Sequence, residues 1–197
     1  MTEAEETYYT EERWQNWLSR VEQEDLDPEN EDSARLLLNL QDDAAIAVAK
    51  IVAAFEEGEI DRETSLDEVE RVRSIVLSEP QLDIDESDNR EDKLMLIDGV
   101  QTSLVCVFYS AEEFIMDGSA DEIPLSEYID AAVDAEAEDD IDAALGYLVQ
   151  AGTRIIEGDS LDVGVVEDIE YGLVSEWVNG LDSLQSALSD PEVVEEE

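Results

Sequence analysis

The chain has no histidine, one cysteine, four prolines and only 10 lysines and arginines among 197 residues. Each shortage removes a class of chemistry. Without histidine there is no imidazole acid–base catalyst, no Ser-His-Asp triad and none of the usual histidine-bearing zinc sites. The Glu-x-x-His pairs of di-iron helix bundles are excluded for the same reason. The lone Cys106 makes an internal disulfide impossible, as suits a reducing compartment. Its setting, Leu104-Val105-Cys106-Val107-Phe108, reads as a small buried hydrophobe rather than a thiol nucleophile. No GxxxxGK[ST] or GxGxxG phosphate loop occurs. The nearest grouping of basic residues, Arg62, Arg71 and Arg73, is interleaved with acids, so no nucleic-acid surface is expected. No run reaches the ~18 apolar residues of a membrane span. The acidic start MTEAEETYY lacks a signal-peptide pattern.

What abounds is acid. Asp and Glu number 56 and set the net charge at -46, yet 43% of residues are hydrophobic and fall in periodic blocks. High charge with few apolar residues would mean disorder; this balance predicts a folded core under an acidic surface. Such a surface repels itself at low ionic strength. At molar salt the Debye length falls to roughly 3 Å and the repulsion is screened. Many carboxylates with only two lysines, Lys50 and Lys93, therefore imply a halophilic protein of a salt-filled, cytoplasmic compartment. In that setting the charge is background and does not by itself mark a nucleic-acid mimic.

The longest apolar segment, Ser33 to Gly58, is expected to be the helix around which the others pack. Ala34, Leu37, Leu38, Gln41, Ala44, Ala45, Val48, Ile51, Val52 and Phe55 form one stripe at helical spacing. From Ala44 to Phe55 the other faces are apolar as well, which predicts burial nearly all round. A second apolar helix spans about Arg90 to Asp117, with Leu94, Ile97, Leu104, Phe108 and Ile115 on one face. Thr10 is the expected cap of a first helix bearing Trp14, Trp17, Leu18 and Val21, after a frayed start to Tyr9 and before a break at Pro28. Ser65 and Glu68 suggest a capping box. Gly58, Gly118 and Gly158 are placed as helix ends, and Ser160 opens a last long helix to Leu188. The expected fold is all-α, a bundle of about seven helices around the two long apolar ones. Residues 1–80 form an N-terminal half, 81–89 a linker, 90–190 a C-terminal half and 191–197 a disordered acidic tail, unless both halves make one domain.

The segments YYTEERWQNWLSR, EDLDPENEDSARLLLN and LQDDAAIAVAKIVAA resemble an uncharacterised family of acidic haloarchaeal proteins. The resemblance covers most of the chain. It implies a halophile origin and brings no activity, cofactor or functional residue with it.

Function is therefore sought in surfaces. The expected reading is a non-enzymatic protein-interaction module without cofactor, acting on a protein partner or as a homo-oligomer, with no nucleic acid and no membrane. Interface candidates are Trp14 and Trp17 on the first helix and Leu173, Trp177, Leu181 and Leu184 on the heptad-like seam of the last. Lys50, interrupting the apolar run, suggests a polar pocket with Asn39 and Asp43. The alternative is a Mg-dependent all-α phosphohydrolase using carboxylate pairs. Glu127-Tyr128-Ile129-Asp130 and Glu167-Asp168-Ile169-Glu170 have suitable spacing, although a chain this acidic contains many such pairs.

Overall fold

Helix starts in this chain are set by short polar side chains just ahead of the first turn. Thr10 accepts a hydrogen bond from the Arg13 amide at 3.1 Å and opens α1 (Glu11–Gln23). Asn30 opens α2 (Glu31–Glu56), Asp61 opens α3 (Arg62–Val76), Asp140 opens α6 (Ile141–Glu157) and Asp162 opens the short α7 (Val163–Glu167) in the same way. Each side-chain oxygen satisfies an amide that lacks an intrahelical partner. Gly58, Gly118 and Gly158 follow α2, α4 (Arg90–Asp117) and α6 with φ of 74°, 85° and 125°. These are the glycine ends the sequence predicts. The remaining helices are α5 (Leu125–Ala137) and α8 (Leu173–Ser189).

The computed structural model describes residues 7–24, 26, 30–82 and 89–189, and only the backbone of residue 163. Within them it is an all-α bundle of eight helices with no strand. Two local expectations are corrected. Ser65 lies inside α3, where its hydroxyl donates to the Asp61 carbonyl at 2.6 Å, because Asp61 caps the helix one turn earlier than the expected box. The long last helix is divided at residues 168–172. There Ser175 Oγ accepts from the Gly172 amide (2.9 Å) and donates to the Gly172 carbonyl (2.7 Å), giving the backbone a local alternative to the helix. Tyr9, expected to fray, is buried. The expected break at Pro28, the middle of the 81–89 linker and the tail at 191–197 lie outside the described residues.

Helix α4 packs against α2, α3, α6 and α8, and α2 packs against α1, α3, α4 and α8. One hydrophobic cluster runs from Tyr9 and Trp14 through Val48, Phe108 and Leu148 to Leu184. Described residues from Tyr9 to Leu82 and from Ile97 to Leu184 thus belong to one hydrophobic cluster. By length and mean hydropathy of 1.5, α4 is apolar enough to cross a membrane, which the count of unbroken apolar runs did not anticipate. In this fold half of that apolar stretch is buried against neighbouring helices.

Two glycines set how closely those neighbours approach. A β-carbon at Gly180 of α8 would fall 1.9 Å from the Ser103 carbonyl oxygen of α4. One at Gly152 of α6 would fall 1.9 Å from Ser110 Oγ, two turns further along α4. By contrast, a β-carbon at Gly99, inside α4, would meet nothing within 4 Å.

Gly180→Ala is therefore expected to lower stability by about 1–3 kcal/mol, because the obstacle is backbone and α8 must move. Gly99→Ala is expected to raise it by roughly 0.5–1 kcal/mol through helix propensity. Denaturant unfolding of both variants in molar KCl checks the pair; an unchanged midpoint for Gly180→Ala would disprove the close approach.

Candidate functional site

Asp43 is the one aspartate side chain with no exposed surface among the ion pairs of the described residues. A buried carboxylate needs donors, and α1 supplies them. Arg13 Nε donates to Asp43 Oδ2 at 2.8 Å, a terminal guanidinium nitrogen bonds Oδ1, and Trp17 Nε1 donates to Oδ2 at 2.8 Å. Arg13 and Trp17 are four residues apart, so one face of α1 carries both. The Arg13 guanidinium also lies 5.9 Å from the centroid of the Tyr9 ring. The Asp43 hydrogen bonds raise the Arg13 pKa. Burial, reinforced by the Asp43 charge, pushes the Tyr9 phenol far up. This cluster latches α1 onto α2.

The latch corrects the expected Asn39–Asp43–Lys50 pocket. Asp43 is used by Arg13 and Trp17, whereas Asn39 and Lys50 are exposed. Lys50 stands two turns beyond Asp43, roughly 10 Å at the helical rise, so the two do not meet. The buried lysine is Lys93 instead, 6% exposed, whose Nζ donates to the Glu22 carbonyl at the end of α1 at 2.7 Å. A cation at a helix C-terminus satisfies an orphan carbonyl and suits the dipole. Sequence pattern gave Lys93 no special weight because its partner lies 71 residues away.

The expected interface residues divide. Trp14, Trp177, Leu181 and Leu184 are buried in the core. Trp17 is half-buried with its indole nitrogen on Asp43. Leu173 is 37% exposed. The heptad-like seam of α8 is internal because α2, α4 and α6 cover it, so self-association along that seam would require opening the core. Between α2, α4 and α8 lies a polar junction instead. Gln41 Nε2 donates to Ser183 Oγ (2.9 Å) and the Asn179 carbonyl (3.2 Å), and Gln41 Oε1 accepts from Ser103 Oγ (2.7 Å). Cys106 is fully buried and burial pushes its thiol up to about 12, so it is not a nucleophile at neutral pH.

A groove lies between α5 and the α7–α8 segment. Its larger part encloses about 630 Å³. Ile129 and Val133 of α5 face Val165 and Ile169 across it, with Asp130, Glu136, Asp168 and Glu170 among the lining acids. A second part of about 420 Å³ shares Ser126, Ile129 and Val165 and extends the groove toward Pro124 and Leu161. No lysine or arginine lines either part. Tyr171 lies on the lining with 90% of its surface exposed, and its hydroxyl is 3.0 Å from Glu176 Oε1. One wall is anchored by Glu136, whose Oε1 accepts from the Leu173 and Val174 amides at 2.7 and 3.4 Å and so caps α8 from another helix. The groove lining holds one member of each carboxylate pair singled out in the sequence, Asp130 and Glu170, together with Asp168; their pair partners Glu127 and Glu167 are not on it. Among the described residues no three carboxylate or thiol groups converge closely enough to hold a metal ion.

A family model described as "Uncharacterized protein conserved in archaea (DUF2150)" matches residues 7–197. No curated protein and no solved structure matches the chain.

Asp43→Ala is expected to cost about 1–3 kcal/mol, since charged hydrogen bonds are lost while half-exposed Arg13 returns to water. Lys50→Met should stay within ~0.5 kcal/mol of the parent. Chemical unfolding distinguishes them, and equal effects would disprove the latch. A second expectation concerns Asp42, whose pKa is raised by burial and by Asp182, against an opposing hydrogen bond from Ser183. A carboxyl with a raised native pKa binds its proton more tightly when folded. Its contribution to stability is present at low pH and lost as pH rises through the raised value. Asp42→Asn should therefore gain on the parent as pH rises from the ordinary carboxylate range toward neutrality. A pH-independent difference between the two unfolding curves would contradict this.

Proposed function

The chain belongs to the DUF2150 family, uncharacterised proteins conserved in archaea, and we propose that this member is a non-enzymatic helical interaction module of a halophile cytosol. The observation that supports the reading is the α5–α7 groove, an open cleft whose acid-rimmed lining includes Ile129, Val133, Val165 and Ile169. Molar salt screens charge and favours apolar burial, so a docking surface in such a cytosol rests on hydrophobic contact. The groove offers that contact on elements whose positions are set by helix packing and by the Glu136 cap. The net charge of -46 and the scarcity of lysine support the halophile assignment.

A second reading, a Mg-dependent phosphohydrolase, draws on Asp130, Asp168 and Glu170 lining one groove. Oxygen-rich sites of this kind hold Mg²⁺ through one or two carboxylates and substrate phosphates. It predicts nucleotide hydrolysis that depends on Mg²⁺ and is lost in Asp168→Asn.

A photo-reactive phenylalanine analogue in place of Tyr171 tests the first reading. Irradiation in native lysate at molar KCl should yield a discrete cross-linked partner, lost when Val133→Asp is added. The same probe at Arg62 on α3, away from the groove lining, should not capture it. Identical products from both positions would overturn the reading.

A further inference from the structure

We propose that the outer face of α4 is a docking surface for a second copy of this chain, seated antiparallel about Val105 so that Tyr109 of each copy rests on Gly99 of the other. Among the described residues, Met95, Tyr109 and Met116 of α4 are large hydrophobics left 66%, 42% and 45% exposed. They are spaced by 14 and 7 residues, whole heptads, which keeps them on one side of the helix. Thr102 and Val105, both part-buried, continue the line. The neighbours of α4 lie to either side of it. Gln101 and Glu112 bond to α3 on one flank, while Ser103 and Ser110 meet Gly180 of α8 and Gly152 of α6 on the other. Half of the apolar stretch of α4 is buried, and this face belongs to the other half. It lies along the longest run without a charged residue, Gly99 to Ala111, in a chain where 34% of residues are charged.

Two features select a second copy. The first is shape. Glycine is costly inside a helix, and a β-carbon at Gly99 would meet nothing within 4 Å. The close approach that Gly152 and Gly180 allow inside the bundle is absent at Gly99, so its dent opens outward. The Tyr109 ring stands about 15 Å further along the same helix, with the Arg73 guanidinium 5.7 Å from its centroid. A two-fold axis beside Val105, midway between ridge and dent, brings each ring over the other copy's glycine. That is the self-complementarity of an isologous interface, in which one residue meets a second and the second meets the first. The second feature is charge. Each copy carries a net charge of -46, so two copies meet at least cost where neither presents acids. On this face the acids stand toward the ends, Asp98 at one and Glu112 and Glu113 at the other. Antiparallel pairing sets Arg73, already 2.6 Å from Glu112, between that acid and Asp98 of the other copy. From Met95 to Met116 the face is about 32 Å long at the helical rise and roughly 10 Å wide. That is less than the roughly 800 Å² per partner of a standard interface, so the expected dimer is weak, with a micromolar Kd.

Sedimentation equilibrium of the full chain in molar KCl, across and above the micromolar range, is expected to show a reversible monomer–dimer equilibrium that weakens as KCl is lowered. Val105→Glu sets two carboxylates against each other at the axis, and Gly99→Gln fills the dent. Each should raise the dimer Kd roughly tenfold or more. Neither position is buried, so both variants should keep the parent's circular dichroism, which separates a lost interface from a lost fold. A photo-reactive phenylalanine analogue at Tyr109 of the purified protein should cross-link to the Met95–Thr102 stretch of another copy, located by mass spectrometry. Tyr171→Ala, in the α5–α7 groove, should leave the dimer intact. A monomer at every concentration, or a dimer indifferent to both α4 substitutions, would overturn the proposal. A dimer lost in Tyr171→Ala and kept in Val105→Glu would place self-association in the groove instead. Cross-links from Tyr109 only to the Tyr109 region of the other copy would overturn the antiparallel pairing.

Discussion

Everything in this bundle depends on how near α6 and α8 come to α4. At Gly152 and Gly180 the missing side chains let the helix backbones approach until a β-carbon would collide with Ser110 or with the Ser103 carbonyl. Close approach by small residues multiplies dispersion contacts along the rest of each interface. It also fixes the rotation of α8, placing Trp177, Leu181 and Leu184 inside and leaving Leu173 at the edge. At the α7–α8 break a β-carbon on Gly172 would meet Glu136 Oε1 at 2.7 Å.

The helix ends are held by one another. Lys93 of α4 reaches the last turn of α1, and Gln101 of α4 donates to the Val76 and Ser78 carbonyls at the end of α3 at 2.7 and 2.9 Å. Glu136 of α5 caps α8. These contacts replace local caps with tertiary ones. They satisfy orphan backbone groups and also lock the register of neighbouring helices. Gln41 does the same in the interior, joining α2, α4 and α8 through Ser103 and Ser183. Such satisfied polar junctions disfavour alternative rotations of the helices, because a rotated helix would bury the same groups unpaired.

The acidic surface has an internal cost. Asp42, Glu56 and Glu112 are all raised from their ordinary values, each by burial first. Glu56 is further raised by Glu157 and Glu57, while Arg73 opposes the shift at Glu112. Too few cations exist in the chain to compensate its acids pairwise; among the described residues the ion pairs are Arg13 with Asp43, Arg71 with Glu68, Arg73 with Glu112 and Arg154 with Asp159. The remaining acids rely on solvent and counterions, which is why ionic strength enters any account of this protein.

Local chemistry was legible in the chain. The all-α class, the two long apolar helices, the Thr10 cap and the glycine ends at Gly58, Gly118 and Gly158 follow from periodicity and from φ preferences, which act within a few residues. Helix amphipathicity also marked Trp177, Leu181 and Leu184 as one stripe, but a stripe says only that something covers it. Whether the cover is another helix of the chain or another molecule depends on how distant segments pack, and the packing of α2, α4 and α6 decided it. The same holds for Asp43, which pairs with Arg13 across 30 residues rather than with Lys50 on its own helix, and for Lys93, which α1 conceals. The groove could not be read from sequence at all. Its lining joins Ile129 and Val133 of α5 to Val165 and Ile169 of a distant segment that precedes the start of α8 at Leu173. Short-range sterics and periodicity are written in adjacent residues, whereas the pairing of a buried charge and the opening of a cleft belong to the three-dimensional arrangement.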